Sequence, residues 1–332
     1  MQNMKRKQIW LLAIFSVFLL VIGGCGQEKT SSKSGNVKES AKTIRIGYQK
    51  FGTLNILKSK GELEKRLKDA GYTADWTEFP AGPQLLEALN VGSIDFGHTG
   101  EAPPIFAQAA NAPLVYVANQ PANPAGEAIV VQKDSPIKSV KELKGKKVGL
   151  NKGSNVHYLL VKALEEAGLT LDDIKPVYLP PADARAAFEG NQIDAWVIWD
   201  PFLSAAELEL KAKTIQNGEG LVANREFFLA TETFAEDEEA LNIIKEEVIK
   251  IDKWIEENPG DVAEFLSPEI GMSVEALEKT LKRKKYGLEE ISDSVLDDQQ
   301  KIADTFYNLK LIPSKINVLD ASSKKNEGGN GE

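Results

Sequence analysis

The 332-residue sequence holds one cysteine, Cys25, and two histidines, His98 and His157. A single cysteine excludes an internal disulfide, a CxxC redox pair and a cysteine-based metal site. There is no HExxH zinc motif and no GxSxG elbow, and the glycine spacing from Gly47 to Gly52 lacks the lysine of a P-loop because Thr53 follows. The equipment of a metalloenzyme, serine hydrolase or nucleotide-binding enzyme is therefore missing, and no cofactor is implied. Positive charge is short as well: 40 Lys and Arg stand against 49 Asp and Glu, a formal charge of −9. An acidic surface argues against nucleic acid or an anionic bilayer as the main partner. It leaves open a small anion, which needs only a few local donors inside a cleft. The apolar run from Ile9 to Ile22 is shorter than the about 20 residues of a membrane-spanning helix.

What that run offers instead is a secretory signal. Lys5, Arg6 and Lys7 precede it, and Gly23 and Gly24 lead into Cys25. Ile-Gly-Gly-Cys matches the bacterial lipobox, in which the signal, here 1–24, is cut before a cysteine that becomes acylated. Two or more acyl chains at Cys25 would hold the protein stably on the extracytoplasmic face of the cell membrane. Residues 25–42 carry no aromatic side chain and read as a flexible tether, and residues 321–332 read as a disordered tail.

Between these ends, short β-rich runs alternate with helical patterns. Thr43 to Gly47 precedes a helix from Asn55 to Ala70, and Ala74 to Phe79 precedes one from Pro83 to Asn90. That rhythm predicts βαβ units and mostly parallel sheets, an α/β fold. The plan repeats. IGYQKFGT from Ile46 resembles VGLNKGS from Val148, and FPAGPQLLEALNVGSID from Phe79 resembles LPPADARAAFEGNQID from Leu179, with Ile94 and Asp95 matching Ile193 and Asp194. Two similar lobes are expected, 43–127 with 223–320 and 128–222, joined by crossovers near Ala125 to Ala128 and Leu221 to Arg225. In such folds ligands sit beyond the carboxyl ends of the strands, and closure around them is a hinge motion.

After Thr233 the pattern is helical. Leu241, Ile244, Val248, Ile251 and Ile255 share a face, Asn258 and Pro259 stop that helix, and further helices are expected from near Ser273 and Ser292. The basic run Lys282 to Lys285 reads as a solvated face.

Four strand-end loops are candidate ligand contacts. The first contains Gln49, whose amide can donate to an anion. The second, His98 to Glu101, precedes a helix opened by Pro103 and Pro104, where free N–H groups near Thr99 to Ala102 favour negative charge. The third, Lys152 to His157, opens another helix with Ser154 and Asn155. Each is also readable as a routine N-cap; facing one another across a cleft they form an anion clamp. The fourth contains Trp199, read either as a core residue or as cover for the ligand's apolar part. Asp200, like Glu101, is awkward beside an anion and suits a helix cap or an ammonium group.

FPAGPQLLEALNVGSIDFGHTGEAPPIFAQAA, KGSNVHYLL and PPADARAAFEGNQIDAWVIWDPF resemble the characteristic segments of the aliphatic sulfonate-binding proteins of ABC importers, over about Ile44 to Pro313. The resemblance implies a two-lobed periplasmic-binding-protein fold of type II, related to binders of taurine, nitrate and thiamine precursors. It implies that Gln49, Thr99, Gly100, Glu101, Ser154 and Asn155 hold the sulfonate, that Trp199 and Asp200 border it, and it brings His157, within its motifs, into the candidate site. It implies an alkanesulfonate ligand taken up for sulfur, an ABC permease as partner, and a monomer. A sulfonate stays fully ionised at neutral pH, which suits a site of neutral donors. Taurine or nitrate binding by the same fold, a pyrimidine-precursor enzyme of the same fold, and a structural lipoprotein are the alternatives.

Overall fold

The computed structural model describes residues 41–322. The expected signal, Cys25 and all but the end of the tether lie outside the described residues, as do 323–332.

Strand β1 (Lys42–Gln49) opens inside the stretch assigned to the tether. Lys42 is in register with Tyr72, and its Nζ lies 2.7 Å from Asp237 Oδ2. The single helix expected from Asn55 to Ala70 is two, α1 (Thr53–Lys60) and α2 (Glu62–Asp69), broken at Gly61. Gly61 takes a left-handed φ of 71° and donates to Leu57 O and Lys58 O, ending α1 as glycine does at helix C-termini. Apolar spacing runs through the break, with Leu54, Leu57, Leu63 and Leu67 all buried, so periodicity alone shows one helix. There follow β2 (Tyr72–Phe79), α3 (Gly82–Asn90), β3 (Phe96–Gly100), α4 (Pro103–Ala109) and β4 (Leu114–Asn119).

The chain then crosses through 120–126 to β5 (Glu127–Val131), β6 (Lys147–Leu150), α5 (Asn155–Glu166), β7 (Lys175–Tyr178), α6 (Pro181–Glu189), β8 (Ala195–Trp199), α7 (Phe202–Glu209) and β9 (Lys213–Asn217). It returns through 218–225 to β10 (Glu226–Thr231). The first crossover ends earlier than expected, because Glu127 and Ala128 already pair with Trp199 and Ile198. A charged residue at a strand start gives no strand signal.

The two sheets have the same plan, β2-β1-β3-β10-β4 and β7-β6-β8-β5-β9. In each, one strand is antiparallel to its neighbours: β10 in the first sheet and β5 in the second. These are the two strands that arrive from the other lobe. They enter at the end where the parallel strands finish, so they must run back the other way, and both crossovers lie at that end.

The sequence repeat has a packing cause. A Cβ on Gly47 would stand 2.5 Å from Ile94 Cδ1, and one on Gly149 would stand 2.4 Å from Ile193 Cδ1, so each first strand needs glycine where its neighbour inserts isoleucine. Asp95 and Asp194 also match: each accepts a hydrogen bond from the adjacent strand, from Arg45 N at 2.8 Å and Lys147 N at 2.7 Å.

The rest of the chain is α8 (Glu232–Ala235), α9 (Glu238–Glu257), α10 (Pro259–Ile270), α11 (Val274–Arg283) and α12 (Asp293–Asn308). The apolar stripe of α9 is buried against the first sheet's core. Pro259 does more than follow the end of α9: it opens α10, a helix the sequence pattern did not reveal, at the position where a missing N–H is harmless. Ser273 and Ser292 cap α11 and α12 by accepting from Ala276 N and Val295 N. Ala321 and Ser322, expected in the tail, are buried, and Ser322 bridges to Tyr116. Among the described residues no helix is long and apolar enough to cross a membrane.

Candidate functional site

The carboxyl ends of the parallel strands of both sheets open into one cleft, with about 710 Å³ of empty space counted out to open solvent. Gln49, Thr99, Gly100, Ser154, Asn155, Trp199 and Asp200 line it, seven of the sequence-derived candidates from both lobes. Thr99 and Gly100 are the last residues of β3, whereas the sequence suggested a loop; His98 is on the same strand.

Thr99 is 1% exposed and its hydroxyl oxygen has no partner within the protein. Gly82 makes room for it, since a Cβ there would come within 1.9 Å of Thr99 Oγ1. Gln49 Nε2 donates to His98 O at 3.2 Å, which fixes the amide at the cleft wall. Ser154 precedes α5 and donates its hydroxyl to Asn151 O at 2.7 Å. Asn155 joins the lobes: its Oδ1 accepts from Ala102 N at 3.3 Å and its Nδ2 donates to Asn224 Oδ1 at 2.6 Å. Of the N–H groups expected free before α4, that of Ala102 is therefore occupied.

Two candidates are not on the cleft wall. Glu101 lies just past β3, where the chain turns into α4, and is 2% exposed; its Oε2 accepts from Arg225 N in the second crossover at 3.0 Å. Burial pushes its carboxyl up to about 7. His157 is fully buried within α5. Its Nδ1 accepts from Gly153 N at 3.2 Å and its ring packs against Phe306 and Tyr178. Burial, helped by Lys152, lowers it to about 4, so it is neutral and supports the loop before α5 from behind. His98 is likewise buried and lowered to about 4, chiefly by burial.

Asp200 does reach the cleft, but its oxygens are engaged. Oδ1 accepts from Ser204 N at 3.0 Å, Ser204 Oγ at 2.7 Å and Thr280 Oγ1 at 3.3 Å, while Oδ2 lies 3.2 Å from Arg283 Nη1. Burial raises its pKa against the pull of Arg283. It starts α7 and ties it to α11, an arrangement closer to the helix-cap reading than to an ammonium site.

The basic run is the main correction. Lys282 is exposed, but Arg283 pairs with Asp200 and Glu207, and Lys284 is nearly buried, its Nζ 2.7 Å from Glu226 Oε2 on the cleft wall. Thr280 and Lys284, four residues apart, line the cleft together. That spacing is the one signal a sequence carries for them; their carboxylate partners come from distant segments. Gln120, Asn123 and Asn224, on the crossovers, also line the cleft and carry no motif. Among the described residues there is no group of three or more His, Cys, Asp or Glu placed to hold a metal ion.

Residues 68–268 match the family model described as NMT1/THI5 like. A protein of Escherichia coli (strain K12) named for binding aliphatic sulfonates is 42% identical over 285 residues, 85% of this chain and 88% of its own length. A protein of Bacillus subtilis (strain 168) named in the same way is 34% identical over 321 residues, 96% and 94% of the two chains. Among solved structures, the alkanesulfonate-binding protein of Xanthomonas axonopodis pv. citri bound to MOPS is 39% identical. It superposes with a TM-score of 0.79 over 84% of this chain and 97% of that one.

Proposed function

This chain belongs to the NMT1/THI5-like family, close to relatives named as aliphatic sulfonate-binding proteins, and we propose that it captures an aliphatic sulfonate between its lobes and delivers it to an ABC importer. The relatives are named as binding proteins, and this protein is a binding protein rather than an enzyme. The observation that carries the ligand class is the buried hydroxyl of Thr99, unpartnered within the protein and facing, across a cleft, the start of the 12-residue helix α5. A helix N-terminus favours negative charge, and a hydroxyl donor serves an anion that keeps no proton of its own.

In this reading Gln49, Thr99, Gly100, Ser154 and Asn155 surround the sulfonate group and Trp199 covers its carbon chain. Glu101 and His157 hold the frame behind them. The signal and lipobox add the remaining steps: the mature protein is anchored through acylated Cys25 on the extracytoplasmic face, works as a monomer, and serves sulfur acquisition.

Replacing Ser154 and Asn155 together by alanine is expected to weaken ethanesulfonate binding at least about tenfold, since it removes the remaining N–H of the Asn155 amide, the bonds of that amide to Ala102 N and Asn224 across the cleft, and the Ser154 bond that holds the loop before α5. Isothermal titration measures it, with circular dichroism to check the fold. Undiminished affinity in a folded double variant removes the clamp. Binding of nitrate or taurine in place of every alkanesulfonate by the unaltered protein replaces the assigned ligand.

A further inference from the structure

Helices α7 and α11 belong to different lobes and meet beside the cleft. Leu203 and Ala206 of α7 are buried in the second lobe's core, and Leu277 and Leu281 of α11 in the core of the first. What each helix turns toward the other is charge, of one sign per lobe. Asp200, just before α7, and Glu207 within it come from the second lobe; Lys279 and Arg283, one turn apart on α11, come from the first. Arg283 reaches both carboxylates: its Nη1 lies 3.2 Å from Asp200 Oδ2 and its Nη2 donates to Glu207 Oε2. Lys279 Nζ lies 2.9 Å from the same Glu207 oxygen, Thr280 Oγ1 donates to Asp200 Oδ1 at 3.3 Å, and Ser273 Oγ donates to Glu209 Oε1 at 3.1 Å.

Ion pairs on an open surface contribute little, but this set is shielded: the side chains of Asp200 and Arg283 are 9% and 16% exposed. Burial pushes the Glu207 carboxyl up, yet Lys279 and Arg283 outweigh it and hold the group below its ordinary value. A shielded charge that loses its partner is costly, whereas the same charge in water is not. Removing one partner therefore penalises the closed arrangement and spares an open one, in which α7 and α11 have separated and their charges are hydrated.

We propose that Lys279 and Arg283 of α11, gripping Asp200 and Glu207 on the α7 side, form an ionic latch between the lobes that holds the cleft shut over the sulfonate and sets how long it stays bound. This rests on the sulfonate reading and adds to it positioning residues that act on the ligand through lobe closure. Glu207 is the discriminating member. It is not among the residues that line the cleft, and taking away its negative charge would, through the field alone, favour a bound anion. Loss of the latch has the opposite sign.

The test is release of ethanesulfonate from the purified protein, followed by stopped-flow tryptophan fluorescence with Trp199 on the cleft wall as reporter, alongside isothermal titration. Glu207→Gln is expected to speed dissociation about fivefold and Arg283→Met about 10–100-fold, with association changed by less than about threefold. Arg283→Lys, which keeps the charge, should recover most of the loss. The double variant Glu207→Gln with Arg283→Met should fall short of the product of the two single effects, because they share a pair. Unliganded variants should melt close to the unaltered protein. Unchanged or slower release from Glu207→Gln, or a lowered melting temperature with unchanged release from Arg283→Met, overturns the latch while the sulfonate site stands. If the unaltered protein binds no sulfonate, both readings fall.

Discussion

Gly100→Ala is expected to lower sulfonate affinity by about 10–100-fold while leaving the fold in place. Gly100 ends β3 in register with Glu226, and its backbone needs no glycine, because its φ is not positive. What an alanine meets is Asn155: the added Cβ would lie 2.1 Å from both Nδ2 and Oδ1. Contact that close forces the amide out of place and breaks its bonds to Ala102 N and Asn224, each worth about 1 kcal/mol. Asn155 is on the second lobe and Gly100 on the first, so the conflict exists only when the cleft is closed. Small-angle scattering should show the variant remaining open at ligand concentrations that close the unaltered protein. A variant that closes and binds normally would mean that Asn155 is not what brings the lobes together.

What was legible in the sequence was mostly local or repeated. The two-sheet plan came through because glycine at 47 and 149 and isoleucine at 94 and 193 solve the same packing problem twice, leaving two matching segments. Helix starts at Ser273 and Ser292 were legible because a cap acts within one turn. Gln49 and Thr99 sit at strand ends, and Ser154 and Asn155 open the helix after one, so knowing the strands and helix starts places them near the cleft.

Position in three dimensions is what local sequence does not carry. Glu101 adjoins Gly100 in sequence, yet the turn into α4 carries it toward Arg225 at the crossover. His157 is two residues beyond Asn155, and the winding of α5 takes it to the rear, against Phe306. Arg283 and Lys284 are indistinguishable in sequence from Lys282 and Lys285; only Asp200, Glu207 and Glu226, brought from other elements, turn them inward. Gly61 misled because a glycine within apolar periodicity is as compatible with a weak helix position as with a break.

The hinge sets the expected pH response of stability, and Glu101→Gln should raise stability at pH 8 by about 3 kcal/mol while changing it little at pH 4. Glu101 and Glu127 flank the two crossovers. Glu101 is raised from 4.5 to about 7 chiefly by burial, and Glu127 is raised well above the ordinary carboxylate value by burial and then by the charge of Glu101. Both oxygens of Glu127 lack a partner within the protein, as does Oε1 of Glu101, which fits neutral carboxyls. A carboxyl with a raised folded pKa keeps more protons folded than unfolded. Its stabilising effect is complete below about 4.5 and is lost as pH climbs through about 7. His98 and His157, lowered from 6.5 to about 4, act with the opposite sign: their contribution is complete above 6.5 and is lost as pH falls through 4. Between about 4.5 and 6.5 the two effects oppose each other, so the unaltered protein should show a shallow optimum there. Glutamine at 101 mimics the neutral carboxyl at every pH and still accepts from Arg225 N, so it removes part of the alkaline decline and leaves the acid side to the histidines. Thermal melts from pH 4 to 8 measure the difference. A gap between variant and unaltered protein that stays constant across that range would show that Glu101 does not titrate between the two states as its burial requires.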